Sequence, residues 1–294
     1  MDLVEFPSLS RGTLREIRTT IDAGFKEFTR AYGEAIESFF EPVRLFLIWL
    51  ENLLIVSPWP IVLAVLVGIV FLMSRNVKIT IGSLAALLLI GVFGMWEDTM
   101  RTIAMVTVCT MLAILLGIPT GILMARSERV QGWINPILDL MQTMPSFVYL
   151  IPVVMIFGIG KVPGLIAIVV YAIPPIIRLT NLGIRLVDQD VLEAADAFGS
   201  SPRQKLLNVQ LPLALPTIMA GINQTIMMAL AMVVVAALIG VKGLGQPVLN
   251  AIANQYFFMG IQNGLAIVAI AIIFDRATQA YGKRLQKHSE VIHG

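Results

Sequence analysis

From about residue 43 onward the chain is a succession of long apolar runs broken by short polar punctuation. A bilayer core takes about 20 consecutive apolar residues as a helix. Runs of that order fall at roughly 53–73, 79–96, 102–125, 137–160, 163–180, 213–240 and 262–276. They are continuous rather than alternating, which excludes a barrel of half-polar strands. The expected class is an all-α integral membrane protein with about seven transmembrane helices. Val43–Leu50 is apolar too, but Glu51 and Asn52 split it from the first run. It fits either an interfacial helix or the start of an eighth crossing.

The segment before these runs has a different rhythm. Ile21, Phe25, Phe28, Tyr32 and Ile36 recur at three- or four-residue steps, the pattern of an amphipathic helix. Such a helix lies on the membrane or a partner, or packs on the protein's own spans. Residues 1–42 hold eight acids and five bases and no compact apolar stretch, so they are not a cleavable signal peptide. The expected organisation is an N-terminal arm at 1–52, a membrane domain at 53–280 containing a long polar loop at 181–212, and a tail at 281–294.

Orientation follows from Lys and Arg in the short loops. Arg75 and Lys78, Arg126 and Arg129, Arg185 with Arg203 and Lys205, and the tail set Arg276, Lys283, Arg284 and Lys287 fall on one side of seven spans. Only Arg101, Lys161 and Lys242 fall on the other. The 181–212 loop and the C-terminus are therefore expected in the cytoplasm. Trp59 and Trp96 then lie near the outer interface and Trp133 near the inner one.

Composition agrees with the pattern. The chain is 57% hydrophobic and 14% charged over 294 residues, whereas soluble domains are about a quarter charged. A net charge of +2 gives no reason to expect nucleic acid. The single cysteine, Cys109, sits in an apolar run and reads as a small buried hydrophobe. His288 and His293 lie in the tail with no third ligand nearby, so no metal site is expected. The chain has no Gly-x-x-x-x-Gly-Lys-Ser/Thr phosphate cradle and no hydrolase or zinc signature, so neither an enzyme nor a cofactor is expected in it. A channel filter and rings of charge are absent as well, which counts against a channel. Ionisable residues within spans are few: Asp139, Arg178 and the Asp275-Arg276 pair sit near span ends, where snorkelling or local pairing accounts for them. A proton- or sodium-coupled carrier needs buried charge, so that rival loses ground.

Polar and helix-breaking residues gather at two places inside the spans. One is Gln142, Thr143, Met144, Pro145 and Ser146, and the other is Asn223, Gln224 and Thr225. Proline removes a backbone hydrogen bond, so the first cluster marks a break. Two readings stay open for these residues: interhelical glue worth about 0.6 kcal/mol per contact, or the lining and gate of a solute path. Gly117 and Gly121, and Gly260 and Gly264, are small-xxx-small pairs that permit close helix packing.

The loop carries the most specific chemistry. Asp190 suits the N-cap of a short helix with Glu193 as its capping-box mate, and Gly199 suits its left-handed end. Ser201 then caps a second helix, with Pro202 at its first position and Gln204 completing a box. Pro212 and Pro216 are expected to punctuate the return into apolar sequence. Glu193-Ala194-Ala195, then Gly199, Val209 and Leu211-Pro212 at these spacings resemble the EAA loop of bacterial ABC-importer permeases. The resemblance implies a type I ABC-importer permease fold. It also implies that Glu193, Ala194, Ala195, Gly199, Leu211 and Pro212 belong to a coupling element that docks on an ATP-binding subunit.

A wider resemblance narrows the branch. Asp139–Tyr149, Phe157–Gly160, Gln210–Ala214, Gly221–Thr225, Gly243–Pro247 and Asp275–Gln279 are similar to permeases of the glycine betaine/proline betaine importers. That family handles compact methylated amines, including choline, carnitine and trimethylamine N-oxide. The resemblance implies ATP and Mg on a partner ATPase present in two copies, and a separate substrate-binding protein that holds the aromatic cage for the ammonium group. With no further segment after Gly294, that binding protein is expected as another chain. One coupling loop and few helices per chain imply a second, identical copy paired about a two-fold axis. The expected location is the bacterial inner membrane, in contact with lipid.

Overall fold

The computed structural model describes residues 9–293, with side chains through Leu285. The first eight residues, Gly294 and the side chains of His288 and His293 lie outside that description, and so do the expectations that touch them. Among the described residues all regular structure is helical.

Helix α1 runs from Arg11 to Val56, with the Ser10 hydroxyl accepting from the Thr13 amide at 3.2 Å as its N-cap. The arm and Val43–Leu50 are thus one helix. Leu47 and Glu51 are buried near its end. Farther back, Phe25 and Ile36 are half-buried, while Ile21, Phe28 and Tyr32 are exposed. At Ser57 and Pro58 the chain turns by 114° into α2 (Trp59–Ser74). The apolar run at 53–73 is therefore divided, and its first four residues close α1. Proline disfavours helical geometry in the residue before it, and Ser57 accordingly has ψ 147°.

Helix α3 (Val77–Val92) is apolar but only 16 residues long, about 24 Å. Helix α4 (Trp96–Arg126) is followed by α5 (Glu128–Thr143). The run at 137–160 is broken in the same way as the first. Met144 takes ψ 133° ahead of Pro145, and the chain bends by 112° into a 3-10 turn (Ser146–Tyr149) and α6 (Leu150–Phe157). Helices α7 (Lys161–Ala172) and α8 (Pro174–Arg185) follow as one apolar span of 25 residues. Next come α9 (Gln189–Ala197), the single turn α10 (Pro202–Gln204), a π-helical stretch (Lys205–Gln210) and α11 (Leu211–Ala236). Helices α12 (Gly245–Asn254) and α13 (Phe257–His293) complete the chain.

Among the described residues, Trp96–Arg126, Lys161–Arg185, Pro202–Ile239 and Phe257–Leu285 are each long and apolar enough to cross a bilayer. The two bent pairs bring the number to six, and α3 is the shorter seventh apolar segment.

Helix α8 lies between α4 and α11, with Ile176 and Thr180 fully buried. Gly117 and Gly121 of α4 face it. A Cβ on Gly117 would lie 2.4 Å from Ile176 Cγ2, and one on Gly121 would lie 2.7 Å from the Ile177 carbonyl oxygen. This small-xxx-small pair serves packing within one chain. Gly264, in the second pair, meets no neighbour within 4 Å. Cys109 is fully buried in the main core with Met100, Met105, Ile168, Met232 and Ile270.

Contacts between loops sort the two ends of the bundle. Arg284 Nη1 donates to the carbonyls of Leu72 and Met73 at 2.9 and 3.2 Å, and Arg126 Nη2 donates to that of Pro202 at 3.2 Å. The basic loops therefore share one end. At the other end Gln262 Nε2 donates to the Phe93 carbonyl at 3.0 Å, the Gly160 amide to that of Ile239 at 3.0 Å, and Lys161 pairs with Glu51. Trp59 and Trp96 face the same groove at this second end.

Candidate functional site

The loop after α8 folds as two capped helices. Its first cap differs from the expected one: Asp188, not Asp190, is the N-cap, accepting from the Asp190 amide at 2.9 Å. The helix starts at Gln189, so Glu193 stands beyond the capping-box position and is exposed instead. The other end is as expected. Gly199 has φ +75°, its amide donates to the Asp196 carbonyl at 2.9 Å, and the Ser200 amide donates to that of Ala195 at 3.0 Å. These two bonds are the Schellman pattern, and they use the left-handed residue to satisfy the last carbonyls of α9. Ser201 and Gln204 form the expected box, with bonds of 3.3 and 2.9 Å, and Pro202 takes the first helical position.

Proline did not interrupt the return to apolar sequence. The helix runs on from Pro202 to Ile239 through the π stretch, where the Leu211 amide reaches back five residues to Leu206. A regular turn would press the Pro212 ring onto the carbonyl four residues earlier; the widened π turn gives it room. Leu211 packs in a small apolar cluster with Ile184, Leu206 and Ala214, while Pro212 is exposed.

Three further contacts fix the loop to the bundle. Lys205 Nζ meets both Asp196 oxygens at 2.7 Å, tying α9 to the base of α11. Arg126 holds Pro202, and Ala195 is buried under α9. Flanking it, Val191, Ala194 and Phe198 are exposed at helical spacing, with Phe198 91% exposed. Sequence reasoning passed over Phe198, because the motif fixes no residue there. The available signal was an aromatic ring in an otherwise polar loop.

The second candidate region is the break after α5. Gln142 and Thr143 are exposed on its last turn, and Met144 leans on the main core. Pro145 has no amide to offer the carbonyl of Met141, four residues back. Tyr149, buried and edge-on to Tyr171 at 5.8 Å, donates its hydroxyl to that same carbonyl. The broken helix is thus braced rather than loose, and Ser146 opens the 3-10 turn that packs against α11.

Adjacent on α11, Asn223 and Gln224 point different ways. Asn223 Nδ2 donates to Asp275 Oδ1 at 2.9 Å, and Thr278 Oγ1 donates to Asn223 Oδ1 at 2.5 Å, so this amide joins α11 to α13. It also lines an open cleft of about 330 Å³ together with Pro216, Thr278, Gln279 and Lys283. Gln224 lies on an exposed face with Ala220, Met227 and Ala231. No hydrogen bond joins these two amides to the Gln142 cluster. Asp139 pairs with Arg178, so the near-terminal charges are locally matched. Among the described residues no group of three or more His, Cys, Asp or Glu side chains could hold a metal ion.

Residues 117–287 match the model of the family described as binding-protein-dependent transport system inner membrane component. The chain belongs to this family. The matched part of this binding-protein-dependent permease covers the last third of α4, both broken or capped regions above, and α13 nearly to its end. The permease is 48% identical over 242 residues to the glycine betaine/proline betaine transport system permease protein ProW of Escherichia coli (strain K12), covering 82% of this chain and 68% of that one. It is 44% identical over 268 residues to the glycine betaine/carnitine transport permease protein GbuB of Listeria monocytogenes serotype 1/2a (strain 10403S), covering 90% and 92%. Among solved structures, a chain of the inward-facing MetNI methionine ABC transporter superposes with a TM-score of 0.57 at 20% identity, over 63% of this chain and 92% of that one. The last likeness is one of fold, and it agrees with the type I importer permease architecture expected from the sequence.

Proposed function

We propose that this permease subunit carries a small methylated amine osmolyte, such as glycine betaine, proline betaine, choline or trimethylamine N-oxide, across the bacterial inner membrane. The energy comes from ATP hydrolysed on a separate subunit that docks on α9. The observation that carries the reading is the loop itself: a helix pair capped at each start and at its turn, pinned by Lys205 and Arg126, that leaves an apolar face with Phe198 uncovered. Exposed aromatics of that kind anchor protein–protein interfaces. Similarity to betaine permeases supports the substrate class.

In this reading the loop and the C-terminus are cytoplasmic, because the basic loops share that end. Two identical copies sit over two ATPases, with ATP and Mg held there. A separate binding protein delivers solute at the opposite face. Glu193, Ala194, Ala195, Gly199, Leu211 and Pro212 serve docking and its anchorage, with Phe198 added to them. Gln142–Ser146 and Gln224 line the path, whereas Asn223 is held by α13 and edges the cleft beside it.

Reconstitution tests the whole reading. In liposomes, uptake of labelled glycine betaine should require the permease, the ATPase, the binding protein and ATP together. The permease alone should neither bind nor hydrolyse ATP. Uptake without the ATPase, or hydrolysis by the rigorously purified permease, would overturn the reading.

The turn at Gly199 gives a sharper expectation. No atom lies within 4 Å of its would-be Cβ, so Gly199→Val creates no clash and acts only through φ. Forcing a Cβ into the left-handed region costs about 1–2 kcal/mol. The variant should insert and fold normally yet stimulate ATP hydrolysis poorly, while Gly199→Asn, which tolerates that region, should stay close to wild type. Equal stimulation by the valine variant would remove α9 from the docking role.

A further inference from the structure

Helix α5 is a separate piece of the bundle. It is a continuous 16-residue helix with extended backbone at both ends: Ser127 at φ −142° and ψ 114°, and Met144 at ψ 133°. Its apolar anchorage is a cluster apart from the main core, in which Val130, Ile134, Leu138 and Met141 of the helix meet Met124, Ile173 and Ile177. Two ion pairs reinforce it, both made to α8. Arg185 Nη1 meets Glu128 Oε1 at 2.6 Å, and Arg178 pairs with Asp139. Arg185 is also the hub of the α4–α5 corner, since its Nη2 donates to the Met124 carbonyl at 3.0 Å and its Nε to Asn181 Oδ1 at 3.0 Å.

The register of these pairs is helical. Arg178 and Arg185 are two turns apart on α8 and therefore share a face. Glu128 stands in the first turn of α5, where its charge also favours the helix N-terminus, and Asp139 lies about 16 Å further along the helix. The far end of α5 carries Gln142 and the Pro145 break. Helix α8 in turn ends at Arg185, three residues before the Asp188 cap of α9. One path of contacts therefore runs from α9 through the short turn at 186–188 and the two arginines to the break.

We propose that α5 is a strut that carries movement of α9 to the Met144–Pro145 break, with Arg185 and Arg178 as the positioning residues that clamp it to α8. The proposal rests on the reading that α9 docks the ATPase. Exposed pairs such as these, with Glu128 and Asp139 largely in solvent, contribute little to stability. Their value is registry: they make α5 follow α8 when α9 moves. Removing them should leave the fold intact and uncouple the break.

The test uses the full complex with its ATPase in liposomes, carrying Gln142→Cys in a Cys109→Ser background. A small charged methanethiosulfonate reagent reports access to position 142 with and without nucleotide trapped on the ATPase. The parent complex should show a several-fold difference in labelling rate between the two states. With Glu128→Gln and Asp139→Asn, which remove the two ion pairs and keep the other bonds of Arg185, the ratio should fall to about one, while melting temperature and ATPase binding stay unchanged. A charge exchange, Asp139→Arg with Arg178→Asp, should restore much of the difference, which a purely structural loss would not allow. If the double variant keeps the parent ratio, the strut is refuted and the docking of α9 stands. If the parent itself shows no dependence on nucleotide although Gly199→Val abolishes stimulation, the strut is again refuted while docking survives. If neither depends on α9, both readings fall.

Discussion

Replacing Phe198 with aspartate should abolish ATP-driven transport without harming the fold of the permease. The ring is 91% exposed and supports no core cluster, so its loss removes nothing from the folded chain. At an interface the balance differs. A buried aromatic anchor is worth about 2 kcal/mol or more on truncation, and a carboxylate left there adds an unpaired charge. Binding to the ATPase should weaken by at least about 30-fold, and stimulated hydrolysis and uptake should fall with it. Phe198→Leu, which keeps an apolar knob, should retain a good part of both. Quantitative co-purification with the ATPase at several concentrations measures the effect. Wild-type affinity for the aspartate variant would show that α9 meets its partner through another face, with Glu193 and Asp190 as the next surface to test.

Gly121→Val should cost the protein its stability instead. A Cβ at Gly121 would fall 2.6 Å from Thr180 Cβ and 2.7 Å from the Ile177 carbonyl oxygen. The second contact is with backbone, so no side-chain rotation relieves it, and α4 and α8 must separate. Overpacking of this kind costs about 1–3 kcal/mol or more, a large part of the usual 5–15 kcal/mol margin. The variant should melt well below wild type in detergent, or fail to accumulate in the membrane. Gly264→Val, in the look-alike pair on α13, meets no neighbour and should accumulate and melt like the parent. Equal melting of the two variants would mean that α4 and α8 do not approach so closely.

The two glycine pairs show where local pattern stops being informative. Gly117/Gly121 and Gly260/Gly264 have the same spacing, yet only the first lies wholly against a neighbouring helix. Spacing says that close approach is possible; which helix arrives is decided by the packing of the whole bundle. Proline breaks behave similarly. Pro58 and Pro145 cut apolar runs that composition alone would draw as single spans, whereas Pro212 is absorbed by a π turn. Pro42, Pro119, Pro136 and Pro216 also lie inside helices, so proline by itself does not mark a break.

Some features were legible because they are short-range. Apolar run length fixed the class, since a backbone in hydrocarbon must satisfy its own hydrogen bonds. The positive φ of Gly199 and the Ser201–Gln204 box could be read directly, because both depend on residues within one turn. Even there a two-residue error arose at Asp188, since Asp188 and Asp190 can each cap a helix. The structure alone decided contacts between distant residues. Asn223 turns to Asp275, 52 positions away, and Arg185 finds Glu128 across 57. Nothing in the local sequence distinguishes Asn223 from Gln224 or Arg185 from Arg203; their roles follow from which helix lies opposite. That in turn is set by the burial of apolar faces and the glycine-permitted approach of α4 to α8, properties of the bundle and not of any one segment.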